Sequence, residues 1–347
     1  MNKINRRQFI YYSSLSLGAS LVAGCSAKTT QVTSNSTSSA TNNKLDKITF
    51  GINWFAEPEY GGFYQALATG IYQKYGLDVI IKVGGPRVNG TQLLMSGVVD
   101  FFIGDATNAI KAIQAGIPKI TVASIFQKDP RILLAHPNVG NDSLENLKGK
   151  PIYITGTNAG FWTFLKAKYG FTDEQARPYY FSVVPFIKDK NSAQQGYITS
   201  EAFKVEKEAG FKPLIFLLAD YGYNPYTNNI ETRKELVDKN PDLVQRFVDA
   251  SIKGWYSYLA NPAPANELIK QENPEMSDDL IAYGLESMKK YGIIISGDAE
   301  INGIGAMTES RWKEFFENQV ALGVFKPETD YKQAFTLKFV NKKVTND

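Results

Sequence analysis

A chain of 347 residues, 43% hydrophobic and 21% charged, is longer than one hydrophobic core usually serves, which predicts two globular lobes. No run approaches the roughly 20 apolar residues that a membrane-spanning helix needs. The formal net charge of +3 equals the contribution of Lys3, Arg6 and Arg7, so the rest of the chain is near neutral and lacks the electrostatic footprint of a nucleic-acid binder.

The paired arginines of Asn5-Arg6-Arg7-Gln8-Phe9-Ile10 precede a mildly apolar stretch from Tyr11 to Ala23, which is export-signal architecture. It resembles the twin-arginine type, with general secretory export as the alternative. Val22-Ala23-Gly24-Cys25 resembles a bacterial lipobox, and Cys25 is the only cysteine. The expectation is a signal peptide over 1–24, lipidation of Cys25, and no disulfide framework. From Ser26 to Lys44 the composition is too polar to fold. Residues 25–45 therefore read as a lipidated tether.

Folded sequence opens with alternating apolar residues from Lys47 to Trp54, a strand running into a loop at Glu57-Pro58-Glu59. A helix is expected from about Gly62 to Tyr75, then a strand Leu77–Val83, a break at Gly84-Gly85-Pro86 and a helix over Thr91–Ser96. Strands at Asp100–Gly104 and Ile120–Ile125 flank an Ala-rich helix near Asn108–Ala115. This alternation predicts a parallel sheet covered by helices. A second such unit begins with the strand Pro151–Ile154, passes a helix around Phe161–Tyr169 and the stretch Tyr180–Phe186, and reaches the strand Leu214–Leu218. Helices follow at Pro241–Leu259, Ser277–Tyr291 and Glu309–Leu322, the first with Asn240 as its N-cap.

Residues Trp54–Ala66 and Gly70–Val79, the Gly97-Val98-Val99-Asp100 segment, Phe126–Pro130 and Lys239–Val244 together resemble ABC-importer solute-binding proteins of the group serving nitrate, sulfonates, taurine and thiamine pyrimidine precursors. The resemblance runs from about Lys47 to Val340. It implies an α/β type II periplasmic-binding-protein fold, with two α/β lobes closing on a ligand cleft at the hinge. Lobe 1 is expected over 46–130 and 230–347 and lobe 2 over 131–229, with crossings near Gln127–Pro137 and Ala219–Glu231. The implied partners are a small-molecule ligand, an ABC importer permease, and the membrane through Cys25. A monomer with no cofactor is expected.

Ligand residues are sought where strands end, because parallel sheets bind ligands at their carboxyl ends. The loop after the first strand offers Asn53, Trp54, Glu57 and Tyr60; the plainer alternative makes Trp54 core and Glu57 solvated. Asp105, Thr107 and Asn108 follow another strand, where a helix cap is the alternative. Gly84 to Gly90, with Arg87, precedes a helix start that favours anionic or carbonyl groups, or is a bare turn. Tyr221, Tyr223 and Tyr226 can sandwich a flat ring or pack between lobes. Gln195, Tyr197 and Glu201 lie in lobe 2, and Glu201 resembles an acidic ligand contact of pyrimidine binders. The lone histidine, His136, reads as structural.

With Arg87 as the sole nearby cation, aromatics and acids favour a planar, amine-bearing heterocycle over nitrate, taurine or an alkyl sulfonate. A thiamine pyrimidine precursor leads, ahead of riboflavin-like rings. The enzymatic alternative is the yeast-type thiamine pyrimidine synthase of the same superfamily. Its reactive lysine falls on Gly104 and its histidine on Asn108, and its cysteine-rich iron motif falls on Tyr221–Tyr226, which holds no sulfur ligand. A binder rather than an enzyme is expected.

Overall fold

The computed structural model describes residues 44–344. The expected signal peptide, Cys25 and nearly all of the expected tether lie outside the described residues.

The chain first builds β1 (Asp46–Gly51), α1 (Gly61–Ala68), α2 (Ile71–Lys74), β2 (Leu77–Lys82), α3 (Gly90–Met95), β3 (Phe101–Asp105), α4 (Ala106–Gln114) and β4 (Lys119–Phe126). It then crosses to β5 (Arg131–Ala135), β6 (Ile152–Ile154), α5 (Gly160–Tyr169), β7 (Ala176–Pro178), α6 (Val184–Lys188), β8 (Ala193–Tyr197), α7 (Glu201–Ala209) and β9 (Leu214–Leu217). It returns with β10 (Thr227–Arg233) and ends in α8 (Lys234–Lys239), α9 (Pro241–Ala260), α10 (Ala263–Glu272), α11 (Asp278–Lys290), α12 (Asp298–Asn302) and α13 (Glu309–Ala321). Two five-stranded sheets result, ordered β2-β1-β3-β10-β4 and β7-β6-β8-β5-β9. These are the two α/β lobes.

Two expectations need correction. The helix expected from Gly62 to Tyr75 is two, because Gly70 adopts φ +69° and starts a new turn. The sheets are mixed rather than parallel: β10 runs antiparallel to β3 and β4, and β5 antiparallel to β8 and β9. Each reversed strand is the one that follows a crossing, so the chain arrives from the other lobe and enters its sheet in the opposite sense. The stretch Tyr180–Phe186 holds a loop, with Phe181 at φ +62°, and the start of α6. In addition, β10 already pairs in the first sheet at Thr227, ahead of the boundary expected at 230.

Aromatic packing fixes the first sheet to the C-terminal helices. Phe247 of α9 stacks on Phe101 of β3 at 4.1 Å and meets Phe50 of β1 at 5.3 Å. Asn240 caps α9 as expected, its side chain accepting the Leu243 N–H. The crossings are anchored to the same body: the Arg311 guanidinium lies 4.1 Å over the Tyr226 ring and donates to Gln127, tying the start of α13 to both connections.

Candidate functional site

A cavity of about 510 Å3 lies between the two sheets. Its walls come from the segments that follow β1, β3, β6 and β8, with Arg131 of β5, Tyr223 of the second crossing and the start of α11 completing it. The carboxyl ends of strands from both sheets thus face one space.

After β1 the chain turns through Asn53 and Trp54 into the short 3-10 turn Pro58–Tyr60. Asn53, Trp54, Glu57 and Tyr60 all line the cavity, joined by Glu59. The Tyr60 hydroxyl donates to Asn53 Oδ1 at 2.8 Å, fixing both. After β3, Asp105 caps α4 by accepting the Asn108 N–H at 2.9 Å and the Asn108 amide at 2.6 Å. Asp105, rather than Thr107 or Asn108, is therefore the cap, while all three line the cavity. Thr107 instead faces the Tyr223 hydroxyl at 3.3 Å.

On the second sheet, Glu201 opens α7 and lines the cavity with Gln195 and Tyr197. Its carboxylate accepts the Tyr197 N–H at 2.7 Å, the Ser200 hydroxyl at 2.6 Å and the Tyr179 hydroxyl at 3.1 Å. Three donors hold it in place. Glu57, Glu59 and Glu201 crowd one end of the cavity beside Lys204. Burial first, then the charges of Glu59 and Glu201, holds the Glu57 carboxyl well above the usual carboxylate range. Burial also raises Glu59, against the hydrogen bond donated by Thr199.

Two of the three crossing tyrosines are elsewhere. Only Tyr223 reaches the cavity. Tyr226 is 2% exposed behind it, donating to Asp298 and accepting the Thr308 N–H at 3.0 Å. Tyr221 ends a 3-10 turn and packs edge-on to Phe216. A three-residue spacing puts side chains on one face only in a helix, and this segment leaves its turn at Gly222. The second aromatic wall comes instead from Phe181 and Tyr179, after β7. Phe181 meets Trp54 at 4.7 Å between ring centroids and Tyr179 at 5.2 Å.

Arg87 is exposed and does not line the cavity, and its loop only leads into α3, which Asn89 caps. The cavity cations are Arg131 and Lys204, which the sequence reading missed. Burial works against the Arg131 charge, but the Asp129 carboxylate and the surrounding phenols outweigh it and keep the guanidinium charged. His136 is buried away from the cavity, its Nε2 bonded to the Phe186 carbonyl at 2.7 Å. Among the described residues no cluster of His, Cys, Asp and Glu could hold a metal ion.

Residues 57–265 match the family described as NMT1/THI5 like. The chain is 26% identical over 333 residues to the riboflavin-binding protein RibY of Chloroflexus aurantiacus, covering 92% of this chain and 94% of that protein. It is 26% identical over 259 residues to a 4-amino-5-hydroxymethyl-2-methylpyrimidine phosphate synthase of Saccharomyces cerevisiae, covering 68% of this chain and 74% of the synthase. The alkanesulfonate-binding protein SsuA of Xanthomonas axonopodis superposes with a TM-score of 0.60 at 12% identity, over 84% of this chain and 99% of SsuA. The chain belongs to the NMT1/THI5-like family and has the periplasmic-binding-protein fold.

Proposed function

We propose that this protein is the extracytoplasmic solute-binding component of an ABC importer, and that its lobes, 46–130 with 227–347 and 131–226, close on a flat, uncharged heterocycle. The supporting observation is the cavity itself: aromatic side chains from both lobes line it, and its carboxylates outnumber its cations. Five lining acids, Glu57, Glu59, Asp105, Glu201 and Glu275, together with the adjoining Asp129, surround Arg131 and Lys204. Such a balance repels nitrate or a sulfonate and suits a ligand rich in hydrogen-bond donors.

A volume of about 510 Å3 lies within the range of pockets that enclose drug-sized ligands, which favours a multi-ring compound over a lone pyrimidine. Similarity to RibY over 92% of the chain favours riboflavin over a thiamine pyrimidine precursor. Calorimetry on purified protein is expected to show saturable binding of riboflavin at a 1:1 ratio, stronger than that of 4-amino-5-hydroxymethyl-2-methylpyrimidine. Taurine should give no heat. A ligand present at 100 times its dissociation constant should stabilise the fold by about 2.7 kcal/mol. The protein acts without turnover, so mass spectrometry should recover the ligand unchanged; preference for taurine, or a chemically altered ligand, overturns the reading.

We further propose that Cys25 carries the lipid that holds the monomeric protein at the membrane beside its permease. The motive is Val22-Ala23-Gly24-Cys25 after an export signal. Cells fed a radioactive fatty acid should label the parent and not Cys25→Ala. Equal labelling removes the anchor.

A further inference from the structure

Arg131 is the first residue of β5, where the first crossing enters the second sheet. Its guanidinium lies 5.4 Å from the Phe161 ring centroid, 5.7 Å from Tyr197 and 5.9 Å from Tyr223. Among the described residues its side chain makes two hydrogen bonds, from Nη1 to Asp129 Oδ2 and from Nη2 to the Tyr197 hydroxyl, each at 3.4 Å. A guanidinium has five N–H donors in a planar fork, so three are left on a group that lines the cavity. Asp129, itself 0% exposed, already balances the charge. Donors without net charge suit carbonyl oxygens rather than an anion.

The other end of the cavity has the opposite chemistry. The Glu57 carboxyl lines it and, among the described residues, takes part in no hydrogen bond or ion pair. Glu57 lies in the loop after β1 and Arg131 at the start of β5, with Tyr197 directing its hydroxyl toward Arg131 and donating its N–H to Glu201. The cavity therefore offers unused Arg131 donors beside β5 and an unbonded Glu57 carboxyl in the loop after β1.

We propose that Arg131 is the specificity-determining residue of this site, donating to a carbonyl-bearing edge of the ligand ring, while Glu57 accepts from hydroxyl or amine donors on the ligand's far end. This rests on the reading of the protein as a heterocycle binder and narrows the class to neutral rings with a dioxo edge and a donor-bearing substituent. A flavin carries both features: a dioxopyrimidine edge and a flexible polyhydroxyl chain on the central ring that can reach a separate part of the cavity.

Two probes separate the ends in calorimetry on the full chain: riboflavin, and lumichrome, which keeps the dioxo edge and lacks the hydroxyl chain. Arg131→Lys, which keeps a charge for Asp129 but loses the fork, should weaken both probes by at least about tenfold. Should that variant fold poorly, the paired Asp129→Asn with Arg131→Gln leaves no orphaned charge and should show the same loss. Glu57→Gln should weaken riboflavin about tenfold and leave lumichrome within about twofold. Riboflavin binding unchanged in both Arg131 variants overturns the inference while leaving the heterocycle reading intact. A parent protein that binds neither probe overturns both.

Discussion

Gly104→Lys is expected to lower the melting midpoint by roughly 10 °C instead of restoring a synthase lysine. A Cβ on Gly104 would lie 2.2 Å from Glu231 Cδ and 2.3 Å from Glu231 Oε1. Glu231 is 2% exposed in β10 and accepts from Lys119 Nζ of β4 at 2.6 Å. Any side chain at 104 must push that carboxylate aside and leave Lys119 buried without its partner. Breaking a buried pair in this way costs about 3–5 kcal/mol. A destabilisation of 1 kcal/mol shifts the midpoint by about 2–4 °C in chains of 150–250 residues. Gly104→Ala should show a large part of the same loss. Adding Glu231→Ala and Lys119→Met to Gly104→Ala should recover stability, since the clashing carboxyl is gone and no buried charge is left without a partner. A Gly104→Lys protein that melts with the parent would show that a side chain fits at this position after all.

The same neighbourhood shows why parts of the fold were legible and others were not. Strand β1 and helix α9 bury one face each, so their apolar residues recur at regular spacing and the sequence declares them. Strand β10 reads Thr227-Asn228-Asn229-Ile230-Glu231-Thr232-Arg233, with one aliphatic residue in seven, yet it lies between β3 and β4 with six of the seven buried. Three of its polar side chains are held by partners distant in sequence: Lys119 for Glu231, the Asp100 carbonyl for Thr232, the Glu59 carbonyl for Asn228. No local pattern encodes such pairing.

In the site, the loops after β1 and β3 were legible because topology places them at strand ends. Arg131 was missed although a signal existed. It is a charged residue opening the apolar run Ile132–Ala135, with Asp129 two positions earlier as a partner that makes burial tolerable. The tyrosine cluster misled because composition says what a segment contains and not which way each ring faces. Phe181 was invisible for the opposite reason, being a lone phenylalanine in a loop whose φ of +62° only the fold dictates.

Trp54→Ala and Phe181→Ala are each expected to weaken ligand binding by at least about tenfold, while Tyr221→Ala leaves affinity unchanged and Tyr226→Ala lowers stability without changing the contact surface. Trp54 and Phe181 come from different lobes and their ring centroids are 4.7 Å apart. Planar rings in stacked contact lie about 3.5 Å from each neighbour, so a ligand cannot enter between these two without separating them. Phe181, 40% exposed, is the partner with room to swing. In the described state the pair therefore joins the lobes across the cavity, and a ligand that stacks on Trp54 exchanges one aromatic contact for another. Each such contact contributes about 0.5–1.5 kcal/mol beyond area burial, to which deleting an indole adds the lost apolar area. Together these exceed the 1.4 kcal/mol that corresponds to tenfold. Fluorescence gives the readout: of the four tryptophans, Trp162, Trp255 and Trp312 are 0% exposed and only Trp54 lines the cavity. Riboflavin should quench the parent's emission on binding, and Trp54→Phe should retain binding by calorimetry while most of the quenching disappears. Full quenching in Trp54→Phe, or unchanged affinity in both alanine variants, would place the ring away from these two walls.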